Sequence, residues 1–141
     1  MKKIISFSFA LSLLYTLAFA KSDPGVADKI MGVYWSPKKD AKIEIFKKGD
    51  RYFGKSTWTE TRRKDLKNPN LSLRERDLLG TELFTNFLYK DGTYGDGKIY
   101  DPEAGKTYSC YMKMESQNTM EVKGYIGFSL IGKSQSWTRV K

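Results

Sequence analysis

Along most of this chain apolar and polar residues alternate in short runs separated by Gly, Pro, Asn and Asp, the pattern of successive β-strands, while a helical period is nearly absent. The first run covers residues 31–36 and stops at Pro37. Residues 41–47 put Ile43 and Ile45 on one face and Lys42 and Glu44 on the other, and Lys48-Gly49-Asp50 turns the chain into Arg51–Thr59, which makes a hairpin. Further runs follow at 81–89, 94–101, 107–114, 119–126 and 134–140, with turns at Asp91-Gly92, at residues 102–106 and at Ser116-Gln117-Asn118, and a short apolar connection at 127–133. In the run 107–114, Tyr108, Cys110, Met112 and Met114 share a face. In the next, Met120, Val122 and Ile126 do so.

These runs predict eight consecutive antiparallel strands. Closing them into an up-and-down β-barrel removes every unpaired edge, and a two-sheet sandwich is the alternative. At eight strands the interior is either filled by side chains or able to hold one small ligand. Residues 60–78 interrupt the rhythm with a charged connection containing Pro69, longer than a compact domain needs for a turn. Within it, residues 71–77 have the makings of one or two helical turns, and Ser72 three positions before Glu75 fits a capping box.

The start of the chain follows another rule. Lys2-Lys3 precedes the apolar stretch 4–20, which ends in Ala18-Phe19-Ala20, so residues 1–20 read as a signal peptide cleaved after Ala20. The serines, Thr16 and the terminal small-x-small triplet favour cleavage over a retained membrane anchor. The only cysteine is Cys110, which excludes a lipoprotein signal. Residues 21–141 are then a single domain, expected in the periplasm or outside the cell. The leader carries two lysines and no acid, so the net charge of +9 falls by two on cleavage and stays basic. Scattered lysines of this kind keep a small domain soluble, and they also allow attraction to anionic lipid or glycan surfaces of the cell envelope. Arg62, Arg63, Lys64, Arg74 and Arg76 are the densest group. No clustered basic helix points to nucleic acid.

Candidate chemistry is sparse. A lone cysteine forms no intramolecular disulfide, and the absence of histidine excludes histidine-based metal sites and triads. Cys110, among apolar neighbours, reads as a small buried hydrophobe. Asp101 and Glu103, with Lys98 and Tyr100 near them, have the look of an acid pair, yet Asp101-Pro102 followed by Gly105 is first of all a hairpin turn. Asp65, Asn68 and Asn70 alternate oxygens as in a calcium loop but lack its other ligands and its glycine, which leaves an Asx turn before Pro69 as the better reading. The many aromatics, Tyr52, Trp58, Tyr94, Tyr100, Tyr108, Tyr111, Tyr125 and Trp137, either line a ligand cavity or pack as core and cross-strand pairs. Trp58, Tyr100, Tyr108, Tyr125 and Trp137 are taken as the candidate ligand-lining set. Neither a cofactor nor a metal is expected.

Several phrases occur together in a set order: Asp40-Ala41-Lys42-Ile43-Glu44-Ile45, Gly54-Lys55 before Trp58, Lys67-Asn68-Pro69-Asn70, Gly97-Lys98-Ile99-Tyr100-Asp101-Pro102, Gly105-Lys106-Thr107-Tyr108, Lys123-Gly124-Tyr125-Ile126-Gly127 and Trp137-Thr138-Arg139-Val140. With them the chain resembles the bacterial exported family known as domain of unknown function 2147 (DUF2147), over essentially all of residues 21–141. The resemblance implies a small lipocalin-like β-barrel with no established activity. It further implies a plug at one end, an aromatic from the first strand (Trp35, or Tyr34) beneath Arg139 of the last. The function expected from residues and resemblance together is a non-catalytic exported barrel binding a small apolar or amphipathic molecule. An envelope interaction module and a hydrolase using Asp101 or Glu103 are the alternatives.

Overall fold

A computed structural model describes residues 24–125 and 134–141 of the protein. The leader expected at 1–20, Ile126 and the connection at 127–133 lie outside the described residues. The described strands are β1 (Gly32–Trp35), β2 (Ala41–Lys48), β3 (Arg51–Thr59), β4 (Glu82–Lys90), β5 (Thr93–Asp101), β6 (Lys106–Met114), β7 (Thr119–Tyr125) and β8 (Ser134–Arg139). Each pairs antiparallel with the next, and β8 returns to β1 through Tyr34↔Arg139 and Trp35↔Thr138, closing the barrel. The expected up-and-down barrel is therefore the architecture, and the sandwich is not.

Alternation decides which residues face inward. Ile43 and Ile45 of β2, Cys110 and Met112 of β6, and Met120 and Val122 of β7 are buried, while their neighbours in sequence are not. On β4 simple alternation fails. Phe84 and Phe87, three positions apart, would point to opposite faces, yet both are fully buried. Between them Asn86 adopts a left-handed conformation at φ 63°, and on the adjacent β5 Asp96 does the same at φ 58° beside a shift in register. Each extra residue bends its strand and returns the next side chain to the interior. Gly97 completes the arrangement: a Cβ there would collide with the ring of Phe87.

One end of the barrel is sealed by the chain itself. A short helix α1 (Pro24–Ala27) runs into a 3-10 turn (Asp28–Ile30), which lays Ala27 and Ile30 on the core. Three inward tyrosines hold this plug through their hydroxyls. Tyr34 donates to the Ile30 carbonyl at 2.8 Å, Tyr94 to the Ala27 carbonyl, and Tyr52 to the Asp28 carboxylate, which Lys47 also reaches at 3.1 Å. Burial raises the ionisation of Tyr52 and Tyr94 above that of an ordinary tyrosine, so both stay donors. Arg139 then clamps the plug from the last strand, Nη1 donating to the Met31 carbonyl and Nη2 to the Lys29 carbonyl, each at 2.8 Å, and Nε to Gln117 across the β6–β7 turn.

The guanidinium carbon sits 4.9 Å from the centroid of the Tyr34 ring. An arginine over a first-strand aromatic does close the barrel, but the aromatic is Tyr34. Trp35, the residue expected there, points outward, because Tyr34 occupies the inward register position opposite Arg139. Gly32, at φ 144°, admits the guanidinium where any Cβ would strike Nη1.

Two substitutions test this packing. Gly97→Ala should cost about 2 kcal/mol in denaturant unfolding, the usual size of an overpacked core. Arg139→Lys should lower stability by roughly 2 kcal/mol, since an ammonium cannot make the forked contacts to two carbonyls, and it should speed hydrogen exchange of the Met31 amide. Unchanged stability in both variants would contradict the described packing of core and floor.

Candidate functional site

With the floor plugged, the opposite end is the mouth. The up-and-down order brings the β1–β2, β3–β4 and β5–β6 connections together there. The mouth-side half of the interior is framed by Ser36 and Ile43, by Ser56 of β3, by Phe84 of β4 and Ile99 of β5, and by Tyr108 and Cys110 of β6, above Trp137 of β8. None of these side chains is charged. Trp137 is 7% exposed and meets Phe84 edge to face, with ring centroids 5.5 Å apart. Cys110 is fully buried, and burial pushes its thiol up to about 12, where it carries no thiolate at neutral pH.

Two polar atoms in this region have no partner. Ser56 Oγ and Trp137 Nε1 are the buried side-chain nitrogen and oxygen atoms among the described residues that make no hydrogen bond. Ser56, 2% exposed, uses its backbone fully, its N–H donating to Thr81 and its carbonyl accepting from Gly80, so the unmet group is the side chain alone. Leaving such a group dry costs roughly 1–3 kcal/mol. Sequence reasoning included Trp137 for its ring and missed Ser56. The available signal was the inward alternation Tyr52, Gly54, Ser56 along β3, which places a hydroxyl where a core residue belongs.

The other expected ligand-lining residues divide. Tyr108 is half-buried in the inward register of β6, paired with Ile99. Trp58 lies on the outer wall, 39% exposed, because the register shifts beside Ile43 at the end of β2 and β3. There it meets Trp35 edge to face at 5.6 Å, and the Lys42 ammonium lies over both rings. Tyr100 also points away from the interior, toward the long β3–β4 connection. Tyr125 is placed in β7 by its backbone, and its side chain lies outside the described residues.

Tyr100 anchors that connection. Its hydroxyl donates to Asp65, whose fully buried carboxylate also accepts from Asn68 at 2.8 Å and from Arg76 at 2.8 Å. Burial pushes the Asp65 carboxyl up, but the three donors and the Arg76 charge outweigh it and hold the group below its ordinary value. Tyr100 shifts the other way, to about 12, through burial and the neighbouring carboxylate. The carboxylate of the imagined calcium loop is thus held by protein donors, and the Asx turn is present, Asn70 N–H donating to the Asn68 side chain at 2.8 Å. Among the described residues no group of three Asp, Glu or Cys is placed to hold a metal.

The capping box expected at Ser72 and Glu75 does not form. Asn70 caps a single 3-10 turn, Leu71–Leu73, and Glu75 pairs with Lys64 at 2.8 Å. The five basic residues considered for an anionic surface each have a partner within the chain: Arg62 with Asp77, Lys64 with Glu75, Arg76 with Asp65, Arg63 with Glu103 at 3.7 Å, and Arg74 with the Asn68 carbonyl. Asp101 is a turn residue, its carboxylate accepting from the Glu103 and Ala104 amides before Gly105 at φ 65°. Two grooves flank these parts, about 800 Å³ beside the plug and about 340 Å³ between the long connection and the β5–β6 turn. Neither is lined by Ser56, Phe84 or Trp137. In the larger, Asp28 and Arg139 are already engaged by the plug.

The Asp65 cluster makes a pH prediction. A carboxyl with a depressed folded pKa adds stability above its unfolded value, near 4, and that stability is lost as pH falls through the folded value. Asp65→Asn should cost roughly 2 kcal/mol at pH 7, less than a fully buried pair because Arg76 keeps a third of its side chain in water. The gap from the parent should close on acidification below about pH 4. A gap that stays constant down to the acid limit would show that the carboxylate charge is not what holds the connection.

Comparison with known proteins fits this geometry. No curated protein matches the chain. A solved structure titled "Protein HP1028 from the human pathogen Helicobacter pylori belongs to the lipocalin family" is similar at a TM-score of 0.71 and 23% identity, covering 79% of this chain and 82% of that one. At that identity the likeness establishes the fold, a lipocalin-like barrel. The sequence profile described as "Uncharacterized protein conserved in bacteria (DUF2147)" matches residues 32–139, from the Gly32 that makes room for the clamp to the Arg139 that forms it, and the chain belongs to this family.

Proposed function

We propose that the protein is an exported, non-catalytic binding protein that carries a small apolar or amphipathic molecule in the mouth-side half of its barrel. The observation that carries this reading is a closed barrel sealed at one end by its own N-terminal segment, with aromatic, uncharged walls toward the other end. Such an interior, once its side chains part, offers an apolar solute removal from water and disfavours ions, which would lose hydration without gaining a counter-charge. The lipocalin-like fold supports the same reading.

Export is supported by the Lys2-Lys3 start, the apolar stretch and the Ala18-Phe19-Ala20 triplet. A non-catalytic role is supported by the engagement of the candidate acids. Asp101 serves the β5–β6 turn, Glu103 lies exposed against Arg63, and Cys110 has no base to activate it.

Mild isolation of the protein from its own cell envelope, followed by solvent extraction and mass spectrometry, should release a small apolar molecule in near-stoichiometric amount. The emptied protein should bind a fluorescent apolar probe, and Asp101→Asn and Glu103→Gln should leave that binding unchanged. Protein that is consistently empty and ignores the probe would end the carrier reading.

A further inference from the structure

Outside the sealed floor, the N-terminal segment, the β4–β5 hairpin and the β6–β7 turn frame a groove of about 800 Å³. That volume falls within the range of small-molecule sites, roughly 300–1,000 Å³. The groove lies at the opposite end of the barrel from the long β3–β4 connection, so it is separate from the mouth-side interior and independent of the carrier reading. We infer that it is a binding site for a single-chain amphipathic anion, an apolar tail ending in one negatively charged head.

The walls suit the tail. Val26 and Met31 both line the groove and are large apolar residues that the fold leaves in water, 44% and 37% exposed. Met114 of β6 and Tyr89 of β4 continue the same wall, and the Tyr89 ring is fixed against that of Tyr94 with centroids 4.9 Å apart. Methionine side chains adapt to a flexible chain without demanding one shape of it. A tail laid over these groups removes apolar surface from water on both sides of the contact.

The charges define the head. Asp28, Lys29 and Arg139 are the charged residues among those that line the groove. Asp28 is neutralised within the fold, its carboxylate accepting from Tyr52 and pairing with Lys47 at 3.1 Å. Arg139 is held by three carbonyls and the Tyr34 ring, and no carboxylate of the described residues pairs with it. Lys29 gives the clamp only its carbonyl, and its ammonium makes no hydrogen bond, ion pair or ring contact with a described residue. Two cations therefore stand unopposed beside an apolar wall. An anionic head gains an attraction to both, a neutral head gains neither, and a cationic head meets like charge.

A bilayer surface offers the same head chemistry, but the groove is a concavity of limited volume between two turns, which admits one chain and not a planar sheet. The occupant is accordingly a free amphiphile.

The methionine methyl resonances test this, because Met31 and Met114 line the groove while Met112 and Met120 are buried in the barrel. The full chain, expressed with its leader, purified and stripped of lipid, is titrated at pH 8 and low salt with monomeric laurate, dodecanol or dodecyltrimethylammonium. Laurate should shift Met31 and Met114, with an affinity at those signals about tenfold higher than that of dodecanol, and the cationic probe should bind more weakly than either. Lys29→Glu should remove at least that tenfold advantage, Lys29→Arg should retain it, and Val26→Ser should weaken laurate and dodecanol alike. Unmoved Met112 and Met120 signals in the variants show the barrel intact. Lys67→Glu, on the long connection at the other end, should change nothing at Met31. Equal affinity for laurate and dodecanol, laurate binding that survives Lys29→Glu, or no shift at Met31 and Met114 would overturn the inference. Shifts confined to Met112 and Met120 would overturn the groove while supporting the carrier reading. Binding to anionic phosphatidylglycerol vesicles without binding of monomeric laurate would overturn the free amphiphile.

Discussion

The Arg139 clamp is the contact on which the rest of the structure depends. A strip of eight strands becomes a closed vessel only if the last strand meets the first and something seals the end, and one side chain serves both needs. From its place opposite Tyr34 in the β1–β8 pairing, Arg139 crosses the Tyr34 ring and binds two carbonyls of the N-terminal segment and one of the β6–β7 turn. The β1–β8 seam is short, and this bridge adds to its ladder. The tyrosine hydroxyls of β1, β3 and β5 finish the seal from the other walls.

The sealed floor gives the molecule a direction. The long β3–β4 connection lies at the opposite end, and it is held against β5 by the buried Asp65 carboxylate, gripped by Tyr100 from the outer face of β5 and by Arg76 and Asn68 from the connection itself. A buried charge of this kind specifies one arrangement, because any other leaves it unpaired. Its cations are drawn into the same scaffolding, so the charge run so visible in the sequence serves local architecture.

Between floor and mouth the barrel is filled rather than hollow. The bulges at Asn86 and Asp96 carry Phe87 into the space left by Gly97, and Phe84 and Trp137 close over the middle. Among the described residues, Ser56 Oγ and Trp137 Nε1 are buried in this core without a hydrogen-bond partner.

The number of strands, their bounds to within a residue or two and the closed topology were legible in the sequence, because a period of two with turn residues between runs is a local property of neighbouring positions. The Asp101-Pro102 turn and the buried state of Cys110 were legible for the same reason. The choice of Tyr34 over Trp35 at the clamp was not, since it depends on which register joins β8 to β1, and one residue of slip exchanges the two faces. Trp58 and Tyr100 were misplaced where a register shift and the docked connection override simple alternation. Sequence alone thus determined a barrel rich in aromatic side chains. Only the tertiary structure decided which aromatics face inward, which end is shut and which two polar atoms lack partners, because those follow from contacts between strands far apart in the chain.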